Sequence, residues 1–222
     1  LDKAAMNGMQ SKSVQVRGFT RRELLTIIAV ISALFVLLLL PAIGTARDKA
    51  RRASCTSRLV QIGIAFRTWS SETNNLYPMS ALTNRDGSLQ IGGLNPFRAF
   101  QVMSNELNSI SILVCPADKR RPARSFDKLT NTNLSFFIGR DADETQPAMP
   151  LAGDRNLVTN GVAVPPGLLV MPSTNPVDFS AAMHKFSGNV GLSDGSVQQV
   201  SSAGLQTLLQ RSGTNTIRLI VP

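Results

Sequence analysis

The sequence predicts an α+β fold in which one long N-terminal helix is packed on a small antiparallel sheet, and three observations predict it. An apolar run from Leu24 to Leu40 passes without a turn signal into an amphipathic pattern, so the two read as one helix. Short strand-like runs are confined to the C-terminal half. The pair Asp194-Gly195 stands between two alternating apolar segments, a strong hairpin signal.

The helix is read in two halves. Leu24 to Leu40 is 17 residues without a charge, roughly 25 Å of helix against a hydrocarbon core of ~30 Å. Ala42, Ile43 and Gly44 extend it past Pro41, which removes one backbone donor and is expected to bend the helix rather than end it. The run is longer than the ~7 to 15 apolar residues of a cleaved signal core, which favours a retained span over 19–44. Beyond it, Ala46, Ala50 and Ala53 and then Leu59, Ile62, Phe66 and Trp69 recur every three or four residues with charges between. This is an amphipathic continuation over 45–73, with the helix ending near Ser71. Ser70, Ser71, Asn74, Asn75 and Pro78 mark its exit.

The remaining chain, 74–222, is expected to form one α+β head, because 222 residues leave room for a single ordinary domain beyond the first third. A second helix is predicted over Pro96 to Leu107, with Asn95 as cap and Pro96 at its first position. Strands are predicted at Leu134 to Ile138, Pro150 to Ala152, Leu168 to Val170, Asn189 to Leu192 and Val197 to Val200. The last two are joined through Ser193-Asp194-Gly195-Ser196. A short helix over Ala203 to Gln210 capped by Ser202 and a final strand over Ile217 to Val221 complete the order. Arg140 to Ala148 and Asn156 to Pro166 read as long loops.

The formal charge is +9. One Trp, one Tyr and the lack of a helix-turn-helix or RNA-binding motif argue against a nucleic-acid partner. Arg47, Lys49, Arg51, Arg52, Arg58 and Arg67 directly follow the apolar run, which suits lipid headgroups or acidic neighbours. Cys55 and Cys115 lie about 60 positions apart with no C-x-x-C, and His184 is the lone histidine. That spacing argues against a structural zinc site. It leaves a Cys55–Cys115 disulfide and two free thiols both open. Asp141, Asp143 and Glu144 crowd three carboxylates into four residues, the kind of cluster calcium takes. Without the glycine of an EF-hand loop, a solvated acidic loop is the better reading, and no cofactor is otherwise expected.

Two motifs remain. Nine residues separate His184 from Asp194-Gly195, with Gly188 and Asn189 between. Asp194 and Gly195 suit a tight turn, and His184 is expected to cap or hydrogen-bond that hairpin. A Ser-His-Asp reading would need a nucleophile such as Ser193 beside His184, yet no G-x-S-x-G elbow exists, so an enzyme is not expected. Asp154-Arg155 reads as a local ion pair or turn. At the other end stands Gly18-Phe19-Thr20-Arg21-Arg22-Glu23, directly before the apolar run. An ionised Glu23 at the edge of that run needs a cation. Arg21 or Arg22 is one candidate, and an α-amino group created by cleavage after Gly18 is another.

Gly18-Phe19-Thr20, Glu23 and the apolar run resemble the N-terminal signal of type IV prepilins and of type II secretion pseudopilins. The stretch Cys55 to Pro78, the string Cys115-Pro116-Ala117-Asp118 and the His184, Asn189, Asp194 and Gly195 pattern resemble a bacterial group of prepilin-like proteins with a C-terminal H-x9-D-G motif. The resemblance implies a leader over 1–18, cut by prepilin peptidase between Gly18 and Phe19, with N-methylation of Phe19. It implies a pilin-like fold, a single-pass inner-membrane protein with its C-terminal domain in the periplasm, and assembly into a homo- or hetero-oligomeric pseudopilin filament for protein export. Glu23 is then the assembly residue, set against a neighbour's Phe19 amine. Arg21 and Arg22 depart from the family pattern. They also look like a twin-arginine export signal, which would release a soluble periplasmic binding protein or enzyme after cleavage near Ala46.

Overall fold

In the computed structural model, residues 18–81 and 95–222 are described, and the side chains of all of these except 39–43 and 81. The leader before Gly18 lies outside the described residues. The backbone divides into two compact units, Leu1–Thr45 and Ala46–Pro222.

Helix α1 spans Arg21–Glu72 and runs through Pro41. In the first unit its side chains from Leu24 to Leu38 are exposed, Leu24 by 53% and Leu38 by 72%. Among the described residues no helix is long and apolar enough to cross a membrane. The expected single-pass inner-membrane placement, with the C-terminal domain in the periplasm, is therefore overturned.

The second unit is a mixed α+β body in which α1 packs on antiparallel sheet. Cys55, Leu59, Ile62, Ala65 and Phe66 form the buried stripe of α1. Ala46, Ala50 and Ala53, expected to begin that stripe, are exposed. Methyl side chains at these positions offer little area to bury, so the buried face starts at Cys55. The short helices α2 (Pro78–Ala81) and α3 (Pro96–Val102) follow. Helix α3 stops five residues before the expected Leu107. Its last turn gives way to bonds from Glu106 and Leu107 back to Met103, and Asn108 takes a left-handed φ of 54°.

The sheet strands are β1 (Phe136–Gly139), β2 (Pro150–Asp154), β3 (Leu157–Thr159), β4 (Val162–Ala163), β5 (Gly167–Pro172), β6 (Asp178–Phe179), β7 (Ser187–Leu192), β8 (Val197–Ser201) and β9 (Thr216–Val221). Helix α4 (Ser202–Gln210) lies between β8 and β9. Six strands form one sheet in the order β5-β9-β1-β2-β7-β8, and β4-β3-β6 form a second. Every pairing is antiparallel.

The larger sheet is covered on both faces. Phe136 and Ile138 point into the core shared with α1 and α3, while Phe137 between them joins the core under α4 with Val190, Leu205, Leu209 and Leu219. Double cover explains why β1 and β2 are buried at every position instead of alternating. The cap of α4 is Ser201, whose side chain accepts from the Gly204 N–H. Strands β3 and β4 occupy part of the stretch expected to be a loop. They turn through Asn160 and Gly161, both left-handed, at φ 51° and 76°, the conformation a two-residue hairpin requires.

Candidate functional site

The segment from His184 to Gly195 is held along the outer half of α1 by side chains one turn apart. Asp48 pairs with Lys185 at 2.5 Å. Arg52 donates to the Gly188 carbonyl at 3.4 Å, and the Thr56 hydroxyl donates to Asn189 Oδ1 at 3.1 Å while accepting from Gln199 Nε2 at 2.9 Å. Further along, a Cβ added at Gly63 would stand 3.9 Å from the Gly195 Cα, and Arg67 donates to the Asp194 carbonyl at 3.3 Å. Spacing of three or four residues puts these positions on one helix face. Half of the basic cluster therefore satisfies carbonyls of the head itself, since Arg58 likewise donates to Ser111 and Val114.

The β7–β8 turn has the expected chemistry. Gly195 has φ +87°, its N–H donates to Leu192, and Asp194 Oδ1 accepts from the Ser196 N–H at 2.8 Å. His184 does not serve this turn. Lys185 and Phe186 both adopt left-handed φ, 53° and 61°, a conformation that costs non-glycine residues roughly 1–2 kcal/mol each. The His184 ring at the start of this bend is buried, with Nε2 3.3 Å from Cys115 Sγ and 3.5 Å from Asp154 Oδ2.

Around that ring four side chains converge. Cys55 from α1, Cys115 from the loop before β1, Asp154 from the end of β2 and His184 from the loop before β7 each present one donor atom, and these atoms lie within 4.8 Å of one another. Both cysteines and Asp154 are fully buried, and both thiols are free. Cys55 Sγ donates to Asp154 Oδ1 at 3.2 Å. Asn189 holds the other carboxylate oxygen, donating to Oδ2 from its backbone at 2.7 Å and from its side chain at 2.8 Å. The Ala117 N–H donates to Cys115 Sγ at 3.4 Å.

Burial dominates the electrostatics. It pushes the Cys55 thiol up, with Cys115 and Asp154 adding to the effect, and raises the Asp154 carboxyl to about 6. The hydrogen bond from Cys55 lowers the Cys115 thiol against its own burial, with His184 assisting. For His184, burial favours the neutral ring, but the Cys115 hydrogen bond and the Asp154 charge outweigh it and raise its pKa. A thiol, an imidazole and a carboxylate in this order resemble an activated nucleophile. Cys115 is closed to solvent, however.

The Asp154-Arg155 dipeptide is not a local pair. The two side chains diverge: Asp154 enters the cluster, while Arg155 makes a bidentate pair with Asp118, 2.8 Å at each oxygen. Ser135 adds a third bond to Asp118 at 2.8 Å. The acidic loop is dispersed among separate partners. Asp141 pairs with Arg218 at 3.0 Å, Asp143 accepts from Thr145, and Glu144 faces Arg67 at 3.9 Å.

In the first unit, Thr20 and Glu23 form a reciprocal cap at the start of α1. Glu23 Oε2 accepts from the Thr20 N–H at 2.8 Å and from its hydroxyl at 2.9 Å, and the Glu23 N–H donates to the Thr20 hydroxyl at 3.3 Å. These bonds lower the Glu23 pKa. The string Thr-x-x-Glu before an apolar run is itself the signature of this box. Phe19 beside it is 75% exposed.

The fold and its site thus define an α+β head docked on its own helix around a buried Cys-Cys-Asp-His cluster. Residues 44–99 are similar to the family described as a protein of unknown function (DUF1559). That stretch includes Cys55 and the docked half of α1 and ends before the other three residues of the cluster. No curated protein and no solved structure matches the chain.

Proposed function

We propose that the protein is a prepilin-like structural subunit of pseudopilin type, whose work is assembly through its N-terminal helix. The observation that carries this reading is the exposure of every described apolar side chain from Leu24 to Leu38. An apolar surface on all sides of one helix segment is costly in water and calls for cover by other helices. Copies of the same helix supply that cover with matched chemistry. The similarity of residues 44–99 to a family associated with prepilin-like proteins supports the same reading.

In this reading prepilin peptidase cuts between Gly18 and Phe19, and Phe19 carries the new, methylated amine. Both Thr20 bonds fall on Glu23 Oε2, so the cap leaves Oε1 to accept an amine from a neighbour's Phe19 and fix the axial register. The heads then line the outside of the filament, which moves cargo for export.

The test is the mature terminus from the native cell. N-methyl-Phe19 is expected, whereas a terminus at Arg47 would overturn the proposal in favour of twin-arginine export. Replacing Glu23 by Ala should stop assembly while leaving cleavage intact. Unchanged filaments from Glu23→Ala would refute its register role.

A further inference from the structure

We infer that Cys55, Cys115, Asp154 and His184 are the four ligands of a structural zinc ion that fastens the His184–Gly195 segment and β2 to helix α1. This goes beyond the assembly proposal and does not depend on it.

The donor set selects the metal. Two thiolates, one imidazole and one carboxylate are a tetrahedral set suited to Zn²⁺, while hard cations such as Ca²⁺ and Mg²⁺ take oxygen ligands. Tetrahedral zinc, with Zn–S ≈ 2.3 Å and Zn–N or Zn–O ≈ 2.0 Å, sets ligand atoms roughly 3.3–3.8 Å apart. The Cys55–Asp154 Oδ1 and Cys115–His184 separations are 3.2 and 3.3 Å, His184 Nε2 stands 3.5 Å from the other carboxylate oxygen, Oδ2, and one donor atom from each of the four residues lies within 4.8 Å of the others. A shift of less than one bond length closes it around an ion.

The surroundings supply the outer support that metal ligands need. Asn189 ties down Asp154 Oδ2 through two bonds, which leaves Oδ1, now facing Cys55, to bind the metal. The Ala117 N–H stabilises the Cys115 sulfur. Two thiolates and a carboxylate around Zn²⁺ carry a net charge of −1. The guanidinium of Arg52 acts on His184 electrostatically, and its Nε is buried without a hydrogen-bond partner among the described residues.

Binding is written in full as Zn²⁺ plus two thiols giving two Zn–S bonds and two protons released to solvent, with neutral His184 and ionised Asp154 completing the shell. No oxidant is needed. The same sulfurs joined as a disulfide would require one, and would draw them away from Asp154 and His184.

The experiment is metal analysis of the full chain purified without chelator or reductant, combined with its intact mass under denaturing, non-reducing conditions. One zinc per chain with both thiols reduced is expected. Substitution by Co²⁺ should give the thiolate-to-cobalt absorption and the intense visible bands of a tetrahedral site. That spectrum is read on the unaltered chain, so it does not rest on a variant that folds. His184→Phe should lose the metal, whereas His184→Cys should retain it and Asp194→Ala should leave it unaffected. A metal-free chain, with free thiols or with a mass two hydrogens lower from a disulfide, would overturn the site, as would an octahedral cobalt spectrum.

Discussion

The two halves of helix α1 place their apolar residues in opposite settings. From Cys55 to Phe66 a single stripe is buried, each of Cys55, Leu59, Ile62, Ala65 and Phe66 at 1% exposure or less, while Val60 and Ile64 between them face solvent. From Leu24 to Leu38 apolar residues occupy every face and all are exposed. One helix thus obeys two rules. A stripe is enough where a helix meets a single sheet, whereas the all-round apolar surface is left uncovered by the described residues. The difference teaches that the docked half is part of the packed head, while in the proposed assembly the exposed half determines what the head is attached to.

The largest effect that separates the halves is expected at Phe66, which is fully buried with its ring edge-to-face against Tyr77 and Phe100. Phe66→Ala removes that packing and leaves a cavity, which costs about 3–5 kcal/mol. Chemical denaturation of the purified chain measures it. A loss below about 1 kcal/mol, the range of ordinary surface changes, would break the claim that the docked half carries the fold.

The sequence exposed some of this arrangement and concealed the rest for identifiable reasons. The stripe Leu59, Ile62, Phe66 and the hairpin at Asp194-Gly195 could be read because each is local: period and turn chemistry are encoded within a dozen residues. The hairpin at Asn160-Gly161 carries the same local signal between Val158-Thr159 and Val162-Ala163, but Asn156, Asn160-Gly161 and Pro165-Pro166 punctuate the stretch closely enough to make it read as a loop. Strand β1 is buried on both faces, so its pattern is a continuous run rather than an alternation.

The cluster was invisible for a different reason. Cys55, Cys115, Asp154 and His184 come from four separated segments, so no spacing rule for metal ligands detects them. The H-x9-D-G pattern drew attention to His184 but paired it with the wrong aspartate. Asp194 serves the turn, and Asp154, read as the partner of its neighbour Arg155, is the one that meets the histidine.

A middle-sized effect tests the head away from the helix. Arg155→Met breaks the bidentate pair with Asp118, whose side chain is 2% exposed, while that of Arg155 is 27% exposed. Ser135 and the Arg120 N–H still serve the carboxylate, so the expected cost is about 1.5–3 kcal/mol near neutral pH. Burial alone would raise the Asp118 pKa, but the Arg155 and Ser135 hydrogen bonds outweigh it and set it below the ordinary value. A carboxyl lowered on folding contributes its stability above its unfolded pKa of ~3.9 and loses it as pH falls through the folded value. The gap between wild type and Arg155→Met should therefore narrow on acidification. Urea unfolding at about pH 7 and about pH 3 reads this, and a gap that stays the same in acid would show that Arg155 acts through packing instead of charge.

The smallest effect on the isolated chain is also the sharpest test of the comparison. Leu34 is 54% exposed in the apolar half, and Ile64 is 59% exposed on the outer face of the docked half. Glutamine is a good helix former, so Leu34→Gln and Ile64→Gln should each change the stability of the unassembled chain by no more than about 0.5 kcal/mol. Their consequences for assembly should differ. Moving one Leu side chain from water into helix-helix contact contributes roughly 1.5–3 kcal/mol, and a filament repeats that contact at every subunit. Leu34→Gln should therefore deplete sheared filaments counted by electron microscopy, while Ile64→Gln should leave their number near wild type. If both variants assemble normally, the exposed half of α1 is not the assembly surface. If Ile64→Gln alone fails, the surface lies on the outer face of the docked half, and the division between the two halves has been drawn the wrong way round.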